Sequence, residues 1–268
     1  MCWLLIYPPR RDGRVISLIH KFLRAGIMVG GMFEESLEGV PQGGPLSPLL
    51  GNIMLNECDH ELERRGHRFV RYADDMMIFC KSKKAAQRTL EHILPYIEGK
   101  LFLKVNREKT EVAYIGNVKY LGYGFYVHKG EGKLRVHAKS VKKLKDKIRE
   151  VTGRSNGMGI DDRKTQLNQV IRGVNYFKIA DMKNLMQELD EWTRSRIRMV
   201  TWKRWKKIRT RFENIKRAGL DKETAWMWAN TRKGYWRTAH SPIMSRVLSN
   251  ERFKRVGYLS FVECYSAK

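Results

Sequence analysis

The sequence predicts an α+β fold: an antiparallel sheet backed by helices, running into a second half that is helical throughout. Three observations predict it. Between residues 12 and 128 the patterns run helix, hairpin, helix, strands. Between residues 141 and 215 apolar residues recur every three or four positions, the period of an amphipathic helix. Charge also divides the chain, with 19 Lys/Arg against 14 Asp/Glu in residues 1 to 130 and 34 against 14 in residues 131 to 268. With 268 residues and 42% hydrophobic content, the chain can bury one large core or two smaller ones.

The elements follow in order. In "DGRVISLIHKFLRAGI", Asp12 is an N-cap, Val15, Ile16, Ile19, Phe22 and Leu23 recur at helical spacing, and Gly26 ends the run. A Gly/Pro-rich loop at 39 to 48 leads into a helix from Pro48 to Arg65. "HRFVRYADDMMIFCKS" reads as two short strands around a tight turn at Asp74 and Asp75. Ala86, Leu90, Ile93 and Leu94 share one helical face, and Pro95 caps or kinks the end of that helix. "LKVNREKTEVAYI" and "VKYLGYGFYVH" are strand-like, with turns at Asn106 and at Gly116 to Asn117.

Beyond Gly132, Val141, Leu144, Ile148 and Val151 form an apolar stripe on a helix whose other faces are basic. "GRSNGMG" at 153 to 159 is a flexible break. Leu167, Val170, Ile171, Val174 and Phe177 make a second stripe, and Leu185, Leu189 and Trp192 a third. No internal repeat or low-complexity tract is present.

A net charge of +25 is far more than solubility requires and points to a polyanionic partner. Cys2, Cys58, Cys80 and Cys264 have no C-x-x-C spacing, which argues against a zinc site or a disulfide framework and for a reducing, cytoplasmic setting. No membrane is expected as a partner. The opening "MCWLLIYPPRR" is a poor signal peptide, and no stretch is long enough to cross a bilayer.

Asp74 and Asp75 stand out against this basic background. Two carboxylates in one small volume repel unless a divalent cation sits between them and a phosphate. Mg²⁺ suits carboxylate plus phosphate oxygens, with Mn²⁺ as a substitute. Paired ions of that kind serve phosphoryl and nucleotidyl transfer. A solvated turn is the plainer reading of two adjacent aspartates.

Context favours the first reading. "RYADD" between strands, preceded by "GVPQGGPLSPLLGNIMLNECD" and followed by "LKVNREKTEV" and "YLGYGF", resembles the reverse transcriptase family along residues 11 to 127. The resemblance implies a partial right-hand polymerase palm acting on dNTPs, an RNA template and a DNA primer. Asp74 would be the principal metal ligand and Asp75 its support, with Ala73 beside the primer terminus and the incoming nucleotide and Tyr72 among the nucleotide- and template-binding residues. Pro41, Gln42, Gly43 and Gly44 match the loop lining the nucleotide and template pocket. Asn106, Lys109 and Thr110 match an N-x-x-K-T segment in which Lys109 neutralises or protonates the leaving pyrophosphate. Leu121, Gly122 and Tyr123 match the turn that grips the primer, where an ordinary β-hairpin is the alternative.

The second half is similar to the maturase-specific region of bacterial group II intron proteins, through "GVNYFKIADMKNLMQELDEWTRSRIRMVTWKRWKK" and "WANTRKGYWRTAHSPIMSRVLSN". That implies a basic helical thumb that binds intron RNA. Arg and Lys interleaved with Trp suit phosphate neutralisation and stacking on unpaired bases. The expected RNA contacts are Lys142, Lys143, Arg194, Arg196, Arg198, Lys203, Arg204, Lys206, Lys207, Arg232, Lys233 and Arg237, while most of the tryptophans are expected to be core anchors. Residues 1–128 would be the palm, 129–218 the all-α thumb and 219–268 a C-terminal maturase segment.

The family's third metal-binding Asp is expected on a strand upstream of Asp12, where "MCWLLIYPPRR" offers no carboxylate, and no nuclease motif follows "RKGYW". The expectation is therefore a group II intron RNA-directed DNA polymerase and maturase that does not extend a primer unaided and has no appended endonuclease. A second chain or dimer mate would cover the exposed palm surface. The alternatives are a catalytically inactive RNA-binding splicing cofactor or remnant and, less consistent with the maturase-like half, a reverse transcriptase from a non-intron system.

Overall fold

A computed structural model describes residues 12–34, 44 and 46–267. The chain divides into two compact units, Met1–Tyr114 and Ile115–Lys268. The class is α+β, mostly helical, with small antiparallel sheets.

In the first unit, helix α1 (Gly13–Leu23) starts where Asp12 accepts a hydrogen bond from the Arg14 N–H at 2.9 Å. Gly26 then takes a left-handed φ of 63°. A short hairpin follows, β1 (Ile27–Val29) with β2 (Met32–Glu34), turned by Gly30 and Gly31. Strands of three residues are too brief to leave a periodic signal, and this hairpin was not expected. Helix α2 (Ser47–Arg64) has Pro48 in its first turn, where the missing N–H costs nothing. Strands β3 (Arg68–Tyr72) and β4 (Asp75–Phe79) pair in register from Arg68↔Phe79 to Tyr72↔Asp75. Helix α3 (Lys83–Pro95) is capped by Ser82 Oγ and closes on Pro95, after which a π-helical turn spans Tyr96–Lys100.

Cys58, Leu62, Ile93 and Leu101 are buried together, with Phe69, Met76 and Ile78 packed against them. The expected strand in "LKVNREKTEVAYI" does not form. Asn106 interrupts its alternation: its side chain accepts from the Lys109 N–H at 3.2 Å, while Thr110 Oγ1 donates to the Asn106 carbonyl at 2.8 Å. Local side-chain bonds have won over a ladder.

Burial, chiefly, raises the Cys58 thiol to about 11, with Asp59 adding to the shift. A neutral thiol is favoured in the fold. Its stabilising effect is complete below the ordinary thiol range near 9 and is lost as pH rises from about 9 to 11. Alkaline titration followed by circular dichroism should show the first unit loosening in that window, and Cys58→Ala should flatten this limb.

The second unit begins with a 3₁₀ turn (Ile115–Asn117) and the hairpin β5 (Tyr123–His128) and β6 (Glu131–Val136). Strand β6 lies inside the stretch expected to be all helix. Its sequence, "EGKLRV", hides it by being polar, but Lys129 and Gly130 both adopt positive φ, the turn that suits a tight hairpin.

The helices are α4 (Ala138–Val151), α5 (Ile160–Arg172), α6 (Lys183–Arg204), α7 (Ile208–Arg217), α8 (Lys222–Ala229), α9 (Tyr235–Ala239), α10 (Pro242–Val247), α11 (Asn250–Arg255) and α12 (Phe261–Ser266). The stripes expected from sequence make one core, including Ile148, Val151, Leu167, Ile171, Val174, Leu189 and Phe261. A second core gathers Trp202, Ile215, Leu220, Ala225, Met244 and Val247. Among the described residues, no helix is long and apolar enough to cross a membrane.

Candidate functional site

Strand alternation sorts the β3–β4 hairpin into two faces. Phe69, Met76 and Ile78 turn toward the core of the first unit, and Arg71, paired with Met76, shares their face. Val70, Tyr72 and Asp75 take the other face, where all three are exposed. The turn itself is Ala73–Asp74, with Tyr72 opposite Asp75. Asp75 is therefore the first residue of β4, one position beyond the bend. Both aspartates lie on the surface.

Ala73 has a φ of 54°, a left-handed conformation that costs a residue with a Cβ on the order of 1 kcal/mol. Arg71 holds it there. Its Nη1 donates to the Ala73 carbonyl at 2.9 Å and to Asn52 Oδ1 at 2.8 Å. Its Nε reaches Asp59 Oδ1 at 2.8 Å, and its Nη2 reaches Asp59 Oδ2. One guanidinium thus ties the turn to two side chains of α2. Sequence reasoning passed over Arg71 because an arginine before an acidic turn resembles any other surface cation. Its position on the inward strand face was the signal available. An open groove of about 600 Å³ lies beside this network, lined by Pro48, Asn52, Asp59, Phe69, Arg71, Tyr72 and Ala73.

Asp74 and Asp75 offer hard oxygen donors on adjacent residues, which fits a divalent cation whose remaining ligands are water or phosphate oxygens. When bound, the ion would supply Lewis-acid stabilisation of charge at a transferring phosphate. Among the described residues, no group of three or more His, Cys, Asp or Glu is placed to hold a metal.

The other expected positions are distributed as follows. Pro41, Gln42 and Gly43 lie outside the described residues, while the Gly44 carbonyl accepts from the Ser47 N–H at the entry to α2. Lys109 is exposed on the Asn106 turn.

Leu121 and Gly122 belong to the second unit and form a left-handed two-residue turn closed by the Tyr120↔Tyr123 bridge. Tyr176 and Phe177, from the 3₁₀ segment Gly173–Phe177, enclose that turn. Tyr176 donates to the Leu121 carbonyl at 3.1 Å, and Tyr123 donates to the Tyr176 carbonyl at 2.5 Å. A Cβ on Gly122 would meet the Phe177 ring at 3.0 Å.

The expected RNA contacts fall into two groups. Lys142, Lys143, Arg204, Lys206, Lys207, Arg232, Lys233 and Arg237 are exposed, and Arg194 is half-buried. Arg198 is buried, and both its Nε and Nη2 donate to the Leu248 carbonyl. Arg196 donates to Thr152 Oγ1 at 2.6 Å and to the carbonyls of Arg149 and Thr152. Lys203 reaches the Arg154 carbonyl at 2.7 Å. These three point into the protein, which periodicity could not distinguish from pointing out. Of the tryptophans, Trp202 is buried under Arg211, while Trp226 and Trp236 are exposed.

A hairpin presenting paired carboxylates, followed by a basic helical unit, describes a polymerase-type region joined to a nucleic-acid-binding region, and comparison with known proteins agrees. Residues 8–125 match the family described as reverse transcriptase (RNA-dependent DNA polymerase), and residues 141–219 match the group II intron maturase-specific domain. The chain is 31% identical to protein YkfC of Escherichia coli (strain K12), over 44% of this chain and 39% of that protein. It is 27% identical to the group II intron-encoded protein LtrA of Lactococcus lactis subsp. cremoris, over 52% of this chain and 36% of that protein. An uncharacterized 91 kDa protein in cob intron from Schizosaccharomyces pombe is 37% identical over 22% of this chain and 7% of its own length. The chain thus spans well under half the length of the curated relatives it matches. Its two matched stretches are similar, in that order along the chain, to the reverse transcriptase and maturase-specific regions of group II intron proteins.

Proposed function

We propose that this chain serves a group II intron as part of an RNA-directed DNA polymerase and maturase. On this reading, residues 1–128 contribute the catalytic half of a right-hand palm, residues 129–218 a thumb that binds intron RNA, and residues 219–268 a maturase segment. The observation that carries the reading is the Ala73–Asp74 turn, which leaves both carboxylates on the surface of a chain whose residues 131–268 carry a large excess of positive charge. Asp74 and Asp75 would hold Mg²⁺ against the phosphates of a dNTP. Ala73 would lie beside the primer terminus and the incoming nucleotide, with Tyr72, Pro41, Gln42, Gly43 and Gly44 lining the nucleotide and template pocket. Lys109 would neutralise pyrophosphate, and Leu121, Gly122 and Tyr123 would grip the primer strand.

A second reading, an RNA-binding splicing cofactor without polymerisation, rests on the basic unit alone, since its exposed lysines and arginines do not depend on the carboxylates. Two assays with the purified chain separate the readings. The first is excision of a group II intron at low Mg²⁺; the second is primer extension on an RNA template. The chain alone should promote excision without extending the primer, and adding the polymerase half that this stretch does not cover should restore extension. Asp74→Ala should abolish that extension and leave excision intact. Extension by the chain alone would overturn the expectation of dependence, and excision unaffected by the chain would overturn both readings.

A further inference from the structure

The Leu121–Gly122 turn is held more firmly than a hairpin turn requires. A turn with left-handed φ at both central residues favours Asn-Gly, yet here leucine takes the first place, at 49°, ahead of Gly122 at 86°. A residue with a Cβ enters that region only at an energetic cost, so its surroundings must keep it there. The Tyr120↔Tyr123 bridge closes the ends of the turn with N–H to carbonyl bonds of 3.0 and 2.8 Å.

Both carbonyls of the turn are taken up by segments that follow the hairpin. The Gly122 carbonyl accepts from the His137 N–H at 3.1 Å and from Ser140 Oγ at 2.9 Å, at the start of α4. The Leu121 carbonyl accepts from the Tyr176 hydroxyl. Phe177 closes on Gly122, near enough that a Cβ there would displace its ring. The rings of Tyr123, Tyr176 and Phe177 meet with centres 4.9, 5.2 and 5.8 Å apart.

Burial does not account for Tyr176. Val174 and Phe177 of the same 3₁₀ segment pack against the larger core, whereas Tyr176 is 58% exposed and gains little by packing. What its hydroxyl does is fix one carbonyl of a strained turn. Strain of this kind persists where neighbouring groups over-determine it, and such places cluster where ligands are held. The turn lies in the stretch that matches the reverse transcriptase family, residues 8–125, and Tyr176 in the stretch that matches the maturase-specific domain, residues 141–219.

We propose that Tyr176 is a positioning residue for primer binding: its hydroxyl, acting through the Leu121 carbonyl, sets the turn that holds the primer strand of a DNA–RNA hybrid. The maturase-matching stretch thereby contributes to the polymerase reaction as well as to RNA binding. The proposal rests on the reading of Leu121, Gly122 and Tyr123 as the turn that grips the primer.

The test titrates the full chain with a labelled RNA template, bare or annealed to a short DNA primer that carries a fluorescent adenine analogue near its growing end. The wild-type chain should bind the primed template more tightly than the bare one, and emission from the analogue should change on binding. Tyr176→Phe keeps the ring and removes only the hydroxyl, so the melting temperature should hold within about 2 °C. Affinity for the primed template should fall about fivefold, the worth of one hydrogen bond, and the emission change should shrink, while affinity for the bare template stays the same. Tyr126→Phe is the control. It removes a hydroxyl from the same hairpin, one that donates to Asp181 at 2.9 Å, and should leave every reading at its wild-type value.

Unchanged affinity for the primed template, an equal loss on both templates, an equal loss with Tyr126→Phe, or a fall in melting temperature of more than about 5 °C would reduce Tyr176 to a tie of the fold and overturn the proposal. Failure of the underlying reading would look different: the wild-type chain itself would not distinguish primed from bare template.

Discussion

Asp190→Ala is expected to lower the stability of the second unit by about 3 kcal/mol. The Asp190 side chain is 5% exposed and organises the start of α12. It accepts from the Phe261 N–H at 2.8 Å, the Val262 N–H at 3.1 Å and the Ser260 hydroxyl at 2.5 Å. Alanine would leave two backbone donors unpaired at a largely buried helix start, each costing about 1–3 kcal/mol. The favourable contact between a carboxylate and a helix N-terminus would go as well. Phe261, fully buried in the larger core, depends on that docking. Calorimetry should show the melting temperature of this unit falling by about 10 °C. Asp190→Asn retains an acceptor and should fall less. A change under about 2 °C would mean that α12 is held by its apolar contacts alone.

Arg71→Ala should have the second large effect, this time in the first unit. Asp59 is only 20% exposed in its side chain and has a bidentate partner in Arg71. Removing the guanidinium strands that carboxylate and releases the Ala73 carbonyl from the side chain that fixes the turn. The expected loss is about 2–3 kcal/mol, less than for a fully buried pair because solvent reaches this one. Lysine at position 71 offers a single point of attachment in place of a fork, so Arg71→Lys should recover only part of the loss. The functional readout is Mn²⁺ affinity at Asp74 and Asp75, followed by the paramagnetic relaxation of water. If the turn is positioned by Arg71, Arg71→Ala should weaken Mn²⁺ binding several-fold at temperatures where the unit is still folded. Unchanged affinity would reduce Arg71 to a purely structural tie.

Much of this was legible in the sequence, and the omissions share a cause. Asp12 and Pro48 act locally, so α1 and α2 begin close to where the sequence implies. The strands around "ADD" and the stripes at 141–151, 167–177 and 185–192 were readable because one face of each packs inward. Strand β6 is hidden by its mostly polar residues, and the strand-like pieces of "LKVNREKTEVAYI" form no ladder, although the turn expected at Asn106 does form, held by the side-chain bond to the Lys109 N–H. The largest gap concerns arginine. Strand alternation places Arg71 on the inward face, but no pattern distinguishes Arg198, which points inward, from Lys142 or Lys207, which point out, since a guanidinium can satisfy carbonyls that only tertiary structure brings together.

That last distinction has a practical consequence for altering this protein. Its cationic character is encoded in two separable layers: inward side chains such as Arg198 act as mortar between helices, and outward ones such as Lys142, Lys207 and Arg232 carry the electrostatic field. Diluting the outer layer, for instance by Lys142→Gln with Lys143→Gln, should improve handling and purity from contaminating nucleic acid while the melting temperature holds. Thinning the inner layer by the same number of charges should collapse the molecule before its affinity for polyanions has noticeably declined.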